Sequence, residues 1–397
     1  MMLRRKLPAN IKSATKALHV DHAIEDGAAV SPPIHQSVTY RTDSPEDFSQ
    51  KAQEPFNDVF YARHGTPTSS RIAKILADLE GAEEAMMFAS GMGAITTTIL
   101  ALVQQGDHVI AQKSLYSASA SFLTKFLPRF GVDITLVDQQ SIEEFEKAII
   151  SKTKIILVET PVNPLMRLTD LRSVSKLAKI HNIITICDNT FATPINQTPI
   201  KLGIDLVVHS ASKYIGGHHD LLAGCVVGST ELLRRIWDTS MDLGPTAAPF
   251  NSWLALRGIR TLKLRVMEHN ANALKVASYL EQHPKIGDVF YPGLTSHPQF
   301  KLANQQMSGF GGMLSFDIPG GYQAGSKFLK ALNICLNAAS LGGVDTLVVQ
   351  PAVMFRARLT DQEITELNIT PGMIRMSVGI EDLCDILNDI EIALSKI

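Results

Sequence analysis

Between Glu84 and Gly228 the chain alternates short, continuously apolar runs with amphipathic stretches, and this rhythm limits its fold more than any other feature. AMMFAS (85–90), HVIAQ (108–112), DITLVD (133–138), KIILVET (154–160), IITICDN (183–189), DLVVHS (205–210) and CVVGS (225–229) are rich in Val and Ile and read as strands. Their apolar residues run on rather than alternate, as in strands covered on both faces. IEEFEKAIIS precedes KIILVET and LRSVSKLAKIHN precedes IITICDN, both with helical spacing. Strand, helix, strand repeated in this way predicts a mostly parallel α/β sheet.

The flanks have a different texture. Residues 1–65 lack the rhythm and contain PP, SPED and EPFND, which predicts an extended arm with short helices. The α/β domain is expected over 66–260 and a smaller C-terminal α+β domain over 261–397. A chain of 397 residues is longer than one compact core usually absorbs. LKLRVMEHNANALKVASYLEQH predicts a long amphipathic helix with Leu262, Leu264, Met267, Leu274, Val276 and Leu280 available for burial. GGMLSFDI (311–318) and MIRMSVGI (373–380) predict further strands.

Charge and cysteine usage exclude several classes. The net charge of -2 offers no basic excess for a phosphate backbone, so no nucleic-acid partner is expected. Cys187, Cys225, Cys335 and Cys384 are scattered without a C-x-x-C pair, which fits reduced thiols in a cytoplasmic protein. The basic start MMLRRKLPANIKSATK has no apolar core, so it reads as a solvated tail rather than a secretory signal, with a transit peptide the other reading. No apolar run approaches the ~20 residues that span a bilayer, and no membrane partner is expected.

Ligands of open α/β sheets bind at the carboxyl ends of the strands, and four such ends carry unusual residues. AMMFAS leads into Ser90-Gly91-Met92-Gly93 and then an apolar helix. Such a turn can present N–H groups to a phosphate, or it can simply pack helix on strand. DLVVHS leads into Ser210-Ala211-Ser212-Lys213; a lysine there is either a surface residue or, with a lowered pKa, a nucleophilic amine. IITICDN ends in Asp188, which can pair with a protonated pyridine nitrogen or close an Asx-turn. KIILVET leads into Pro161-Val162-Asn163-Pro164. His218-His219-Asp220 invites a metal reading, but no matching cluster stands elsewhere and no metal is expected.

Taken together, VETPVNP, DNTFATPI and VVHSASKYIGGHHDLLAG resemble the Cys/Met-metabolism enzymes that depend on pyridoxal 5'-phosphate (PLP). The resemblance runs from about Pro32 to the C-terminus through FYARHGTPT (60–68), FASGMGAI (88–95), FNSWLALRGIRTL (250–262), YPGLTSHP (291–298), GFGGMLSFDI (309–318), SLGGVDTL (340–347) and IRMSVGIEDL (374–383). It implies the aspartate-aminotransferase-type fold of PLP-dependent transferases, here a seven-stranded sheet with the smaller domain behind it. It also implies a homotetramer built from two dimers. By the same matching Lys213 carries the cofactor as a Schiff base and moves protons, Asp188 holds the ring nitrogen, and Asn163 lies near the ring hydroxyl. Gly91, Met92, Ser210 and Ser212 would hold the phosphate. Tyr61 and Arg63 would reach it from the neighbouring subunit, as an arginine fork suits a phosphate. Tyr116 would stack on the ring and protonate a leaving thiolate. Arg375 would grip the substrate carboxylate, assisted by Ser340; taken alone, Arg375 also reads as a strand-edge salt bridge.

Within that family the expected reaction is cleavage of cystathionine to homocysteine, pyruvate and ammonia by β-elimination. Tyr116-Ser117-Ala118-Ser119 lacks the cysteine found after the stacking tyrosine of methionine γ-lyases, and YARHGT resembles some bacterial cystathionine β-lyases. Asp345 stands where many γ-acting members carry Glu, and QPAVMFRAR replaces a stretch with Thr-His, so Arg356 or Arg358 is a candidate for the distal carboxylate. The alternatives are cystathionine γ-lyase, cystathionine γ-synthase or O-acylhomoserine sulfhydrylase, methionine γ-lyase, an aminotransferase, and a non-catalytic PLP-binding interaction protein.

Overall fold

The computed structural model describes residues 7–8, 10–24, 29–356 and 360–397. Each of the seven apolar runs forms a strand: β1 (Glu84–Phe88), β2 (His108–Gln112), β3 (Asp133–Val137), β4 (Thr153–Glu159), β5 (Ile184–Asp188), β6 (Leu206–Ser210) and β7 (Gly224–Gly228). They make one sheet in the order β1-β7-β6-β5-β4-β2-β3. Only β7 runs antiparallel, to both β1 and β6. Residues of β2 and β7 are buried throughout, the reason their sequences do not alternate.

Helices cover both faces. α1 (Ser13–His19) and α2 (Pro45–Gln53) belong to the N-terminal segment. α3 (Pro67–Glu80) starts from a capping box between Thr66 and Ser69 and ends at the left-handed Gly81. α4 (Gly91–Leu102) packs on the opposite face. Ile95, Ile99 and Leu102 meet Phe88, Ile186, Val208 and Val226 there, while Ile72, Ile75 and Leu76 of α3 meet Val207, Cys225 and Val227. Parity along the strands therefore puts Asp188, in register with Val208, on the α4 face.

The second sheet contains β8 (Val289–Phe290), β9 (Met313–Asp317), β10 (Leu336–Asn337), β11 (Leu347–Val349) and β12 (Met373–Ser377), ordered β10-β11-β12-β9-β8. Together they give the α/β architecture expected: a mostly parallel seven-stranded sheet and a smaller mixed sheet with its own core. The helix Leu262–Gln282 leads into this part, and one expectation for it fails. Leu262, Val266, Ala273, Val276 and Leu280 are buried as one face, but Leu264, Met267 and Leu274 are exposed. At about 100° per residue those three fall away from the buried stripe, so apolar character alone did not assign their face. Cys187, Cys225 and Cys335 are buried and Cys384 is exposed, and all four are free thiols.

Candidate active site

The chemistry-bearing side chains gather where β4, β5 and β6 end. Glu159, Asp188 and Ser210 are the last residues of these three strands, and Glu159 is in register with Asp188. Asp188 Oδ1 accepts from the Thr190 N–H at 3.0 Å. Burial pushes the Asp188 carboxyl up, against the Thr190 hydrogen bonds and the nearby His209 and Lys213. Glu159 is pushed up to about 8 by burial and then by Asp188. One buried carboxylate beside another favours a single shared negative charge.

Lys213 sits on the turn after β6 rather than at the strand end. Its Nζ donates to Ser340 Oγ at 3.0 Å. Burial and then the Arg375 cation lower its pKa, while Asp188 acts the other way. The amine is thereby biased toward the neutral, nucleophilic form.

At the start of α4 the sequence makes a cradle. Ser90 Oγ caps the helix by accepting the Gly93 N–H at 3.0 Å. A Cβ on Gly91 would stand 2.8 Å from Ser210 Cβ, so only glycine lets the helix end approach β6 this closely. The free N–H groups of that helix end and the Ser210 hydroxyl thus face the same space as the α4-side groups. Met92 receives a contact from Ser119 Oγ at 3.8 Å. Ser212 is turned to β7: its Oγ accepts the Ala223 N–H at 3.0 Å and donates to Ala223 O at 3.2 Å.

Arg375 lies on β12, the central strand of the small sheet, not at a strand edge. Nη2 donates to Ser340 O at 2.8 Å and Nη1 to Asn163 Oδ1 at 3.4 Å, and the buried Nε has no partner. No carboxylate pairs with it among the described residues, and burial lowers its pKa to about 10. A buried guanidinium with donors to spare is primed for an anion. Ser340, which links it to Lys213, holds φ at 88°, a conformation a serine rarely adopts.

Tyr116 opens the helix Ser117–Ser121 and is half exposed. Its backbone N–H donates to Glu159 Oε2 at 2.7 Å, so Glu159 ties the aromatic residue to the strand ends. Tyr61 and Arg63 are not brought to this group within one chain. Arg63 instead stacks at 5.6 Å over Tyr61 and lines a cavity of about 350 Å³ with Phe56, Asp58, Lys74 and Glu84. Asp345 is exposed, Arg356 pairs with Asp361 at 2.9 Å, and Arg358 lies outside the described residues. His218 Nδ1 bonds to Gly216 O at 2.8 Å.

Two groups escaped the sequence reading. Glu159 had a signal, a carboxylate closing an otherwise apolar buried strand. Behind the sheet, His209 Nε2 meets Glu80 Oε1 at 2.7 Å and Asn189 Nδ2 meets the same oxygen at 2.9 Å. Nothing in the local sequence joins Glu80 to residues more than a hundred positions away.

The comparison with known families decides the assignment. The profile described as Cys/Met metabolism PLP-dependent enzyme matches residues 14–395. This chain belongs to that family. It is 40% identical over 399 residues to an L-methionine gamma-lyase of Treponema denticola, covering 100% of each chain. It is 41% identical over 369 residues to a cystathionine beta-lyase of Lactococcus lactis subsp. cremoris, covering 93% of this chain and 94% of the relative. The crystal structure of a cystathionine gamma-lyase from Lactobacillus plantarum complexed with L-serine superposes with a TM-score of 0.91 at 37% identity, covering 98% of this chain and 99% of that one. Family membership makes the chain a PLP-dependent enzyme of sulfur amino acid metabolism, and the residues present fit that cofactor. A lysine amine of lowered pKa, a half-buried carboxylate at a strand end and a glycine-lined helix end stand together.

Proposed function

We propose that the protein is a carbon–sulfur lyase that cleaves cystathionine at the Cβ–S bond, releasing homocysteine, pyruvate and ammonia. The observation that carries the reading is the Lys213–Ser340–Arg375 chain: one serine accepts from the lysine amine at 3.0 Å and from the guanidinium at 2.8 Å. A base and an anion-binding group are thus held a fixed distance apart, as an α-amino acid requires.

When bound, PLP supplies an electron sink for the charge left at the substrate Cα. Lys213 would hold it covalently through Nζ and, once the substrate amine has replaced that bond, the freed Nζ would take the Cα proton. Asp188 would pair with the ring nitrogen and favour its protonated form, and Asn163 would lie by the ring hydroxyl. Gly91, Met92, Ser210 and Ser212 would line the phosphate end, with backbone N–H groups and the Ser210 hydroxyl, the Ser212 hydroxyl being engaged with Ala223. Arg375 and Ser340 orient the substrate carboxylate. Tyr116 would cover the ring and would donate its hydroxyl proton to the departing sulfur.

In this reading residues 1–65 form an arm, 66–260 the cofactor domain and 261–397 the smaller domain. Tyr61 and Arg63 act in trans on the partner subunit's phosphate, within a cytoplasmic homotetramer. Ala118, where methionine γ-lyases carry cysteine, and the YARHGT string favour β-cleavage of cystathionine. The full-length similarity to a methionine gamma-lyase favours a second reading, γ-elimination from methionine. Cystathionine γ-lyase and γ-synthase activities use the same groups.

The test is to incubate pure enzyme separately with L,L-cystathionine and L-methionine and to identify the products. Pyruvate with homocysteine supports the proposal. 2-Oxobutyrate with cysteine reassigns the enzyme to γ-cleavage, and 2-oxobutyrate with methanethiol supports the second reading. No keto acid from either substrate removes the lyase reading.

A further inference from the structure

The turn that carries Lys213 is held by a buried cation with no part in the chemistry above. After β6 the chain makes an irregular helical turn in which Gly216 N–H donates to Ala211 O at 2.9 Å and Gly217 N–H to Lys213 O at 2.7 Å. The turn stops at Gly217, whose φ is 76°. The carbonyls of Tyr214 and Ile215 are then left pointing out of its end, as at any helix C-terminus. Arg265, from the first turn of the helix Leu262–Gln282, fills that position. Its Nη1 donates to Tyr214 O at 2.6 Å and its Nη2 to Ile215 O at 3.3 Å. Nη2 also donates to Gly258 O at 2.7 Å and Nε to Thr261 Oγ1 at 3.3 Å, at the end of the preceding helix.

This guanidinium is 5% exposed and has no carboxylate partner among the described residues. Burial alone lowers its pKa, to about 10. A buried charge neutralised only by carbonyl dipoles is costly, and a neutral core residue would pack there more cheaply. The backbone is also built around it. A Cβ on Gly217 would lie 2.1 Å from Arg265 Nη1, and a Cβ on Gly258 would lie 2.2 Å from Gly216 O. The remaining carbonyls of the turn are held from the other side, Gly216 O by His218 Nδ1 at 2.8 Å and Gly217 O by the Val344 N–H at 3.0 Å. Every carbonyl from Tyr214 to Gly217 therefore has a donor, and the backbone beside Lys213 is pinned while its side chain stays free to swing.

We propose that Arg265 is a positioning residue for Lys213, clamping the carbonyl end of its turn so that Nζ keeps its reach to the reacting carbon. The proposal rests on the reading that Lys213 is the attachment point and base. Arg265→Met removes the donors and Arg265→Lys keeps the charge without the fork that spans three carbonyls. Both are made as holoenzymes, reduced with borohydride, and the cofactor-labelled peptide identified beside kcat, KM and the pH profile on the sulfur amino acid that the wild type turns over.

The expected result is a label on Lys213 in the wild type and a kcat lowered about 10²-fold in Arg265→Met, the penalty of an ångström-scale misplacement. KM stays within about threefold because Arg375 is untouched, and Arg265→Lys falls between. The pH limb of Lys213 moves in Arg265→Met, which a loss of stability alone would not produce. An Arg265→Met enzyme labelled at Lys213, with kcat within about twofold of wild type and the same pH profile, overturns the proposal alone. A wild-type label on another lysine overturns the reading beneath it as well. Should Arg265→Met fail to fold, amide exchange in the wild-type holoenzyme decides. Exchange of Gly216 and Gly217 as slow as in β6 supports the clamp, and exchange at loop rates overturns it.

Discussion

Glu159 and Asp188 end neighbouring parallel strands in register, so a buried carboxyl group and a half-buried one stand side by side at the mouth of the sheet. Only Asp188 has basic neighbours, His209 and Lys213, that favour its charged form. Burial and then its neighbour raise the Glu159 carboxyl to about 8, which biases this member of the pair toward its protonated form. A carboxyl whose folded pKa exceeds its unfolded value binds its proton more tightly in the folded state. Its contribution to stability is complete below the unfolded pKa and is lost as pH rises through the folded one. Between pH ~4.5 and ~8 the wild type should therefore lose stability at up to about 1.4 kcal/mol per pH unit from this group. Glu159→Gln keeps an acceptor for the Tyr116 N–H and cannot ionise. Urea midpoints across that range should be flatter for the variant, and parallel curves would show that Glu159 is already ionised when folded.

Gly91 tests the cradle. A methyl group there meets Ser210 Cβ at 2.8 Å, Oγ at 3.0 Å and Cα at 3.1 Å; the hydroxyl can rotate away, but Cβ and Cα cannot. Gly91→Ala must push the start of α4 away from β6. The expected outcome is weaker cofactor affinity, by about tenfold or more for the loss of one or two charge-assisted hydrogen bonds. The variant's KM at saturating PLP should change less than its cofactor Kd. Dialysis against buffer followed by PLP titration measures this; an unchanged Kd would place the phosphate elsewhere.

The trans role proposed for Arg63 predicts complementation. In one chain Arg63 stacks on Tyr61 and touches none of Lys213, Asp188, Ser340 or Arg375. Lys213→Ala and Arg63→Ala should each be close to inactive as homo-oligomers. Unfolded together and refolded, half of the dimers are mixed and each mixed dimer has one intact site, so about a quarter of wild-type activity should return. No recovery from a refolded mixture, with wild type recovering in parallel, would mean that Arg63 serves its own chain.

These residues also show why some of the molecule was legible in sequence and some was not. The seven strands were readable because each is buried on both faces and is written as an unbroken apolar run, as KIILVE and LVVHS are. The places of Asp188 and Ser210 were readable because polar residues closing such runs sit at the sheet's carboxyl edge, and that of Lys213 because it follows on the turn just beyond. Leu264, Met267 and Leu274 misled because apolar side chains occupy two faces of one helix, and only tertiary packing selects between them. Glu80, His209 and Arg265 act through partners far away in the chain, which no local pattern records. Ser340 at φ 88° is similar: its strain belongs to the contacts of Lys213 and Arg375, not to its neighbours in SLGGVDT.

Arg356 gives a test of substrate class. It closes the short helix Pro351–Phe355, which follows β11 beside the strand of Arg375. Its ion pair with Asp361 spans 2.9 Å, and both side chains are more than half exposed. Such pairs contribute little, commonly under about 1 kcal/mol, so exchanging Asp361 for another carboxylate costs the enzyme almost nothing. If the distal carboxylate of cystathionine takes that place, Arg356→Ala should raise KM for cystathionine about tenfold with kcat nearly unchanged, the signature of lost uniform binding. Methionine has no distal carboxylate, so its KM should stay the same in the variant. An equal rise for both substrates would point to a distorted helix, and no rise for cystathionine would remove Arg356 from the substrate's path.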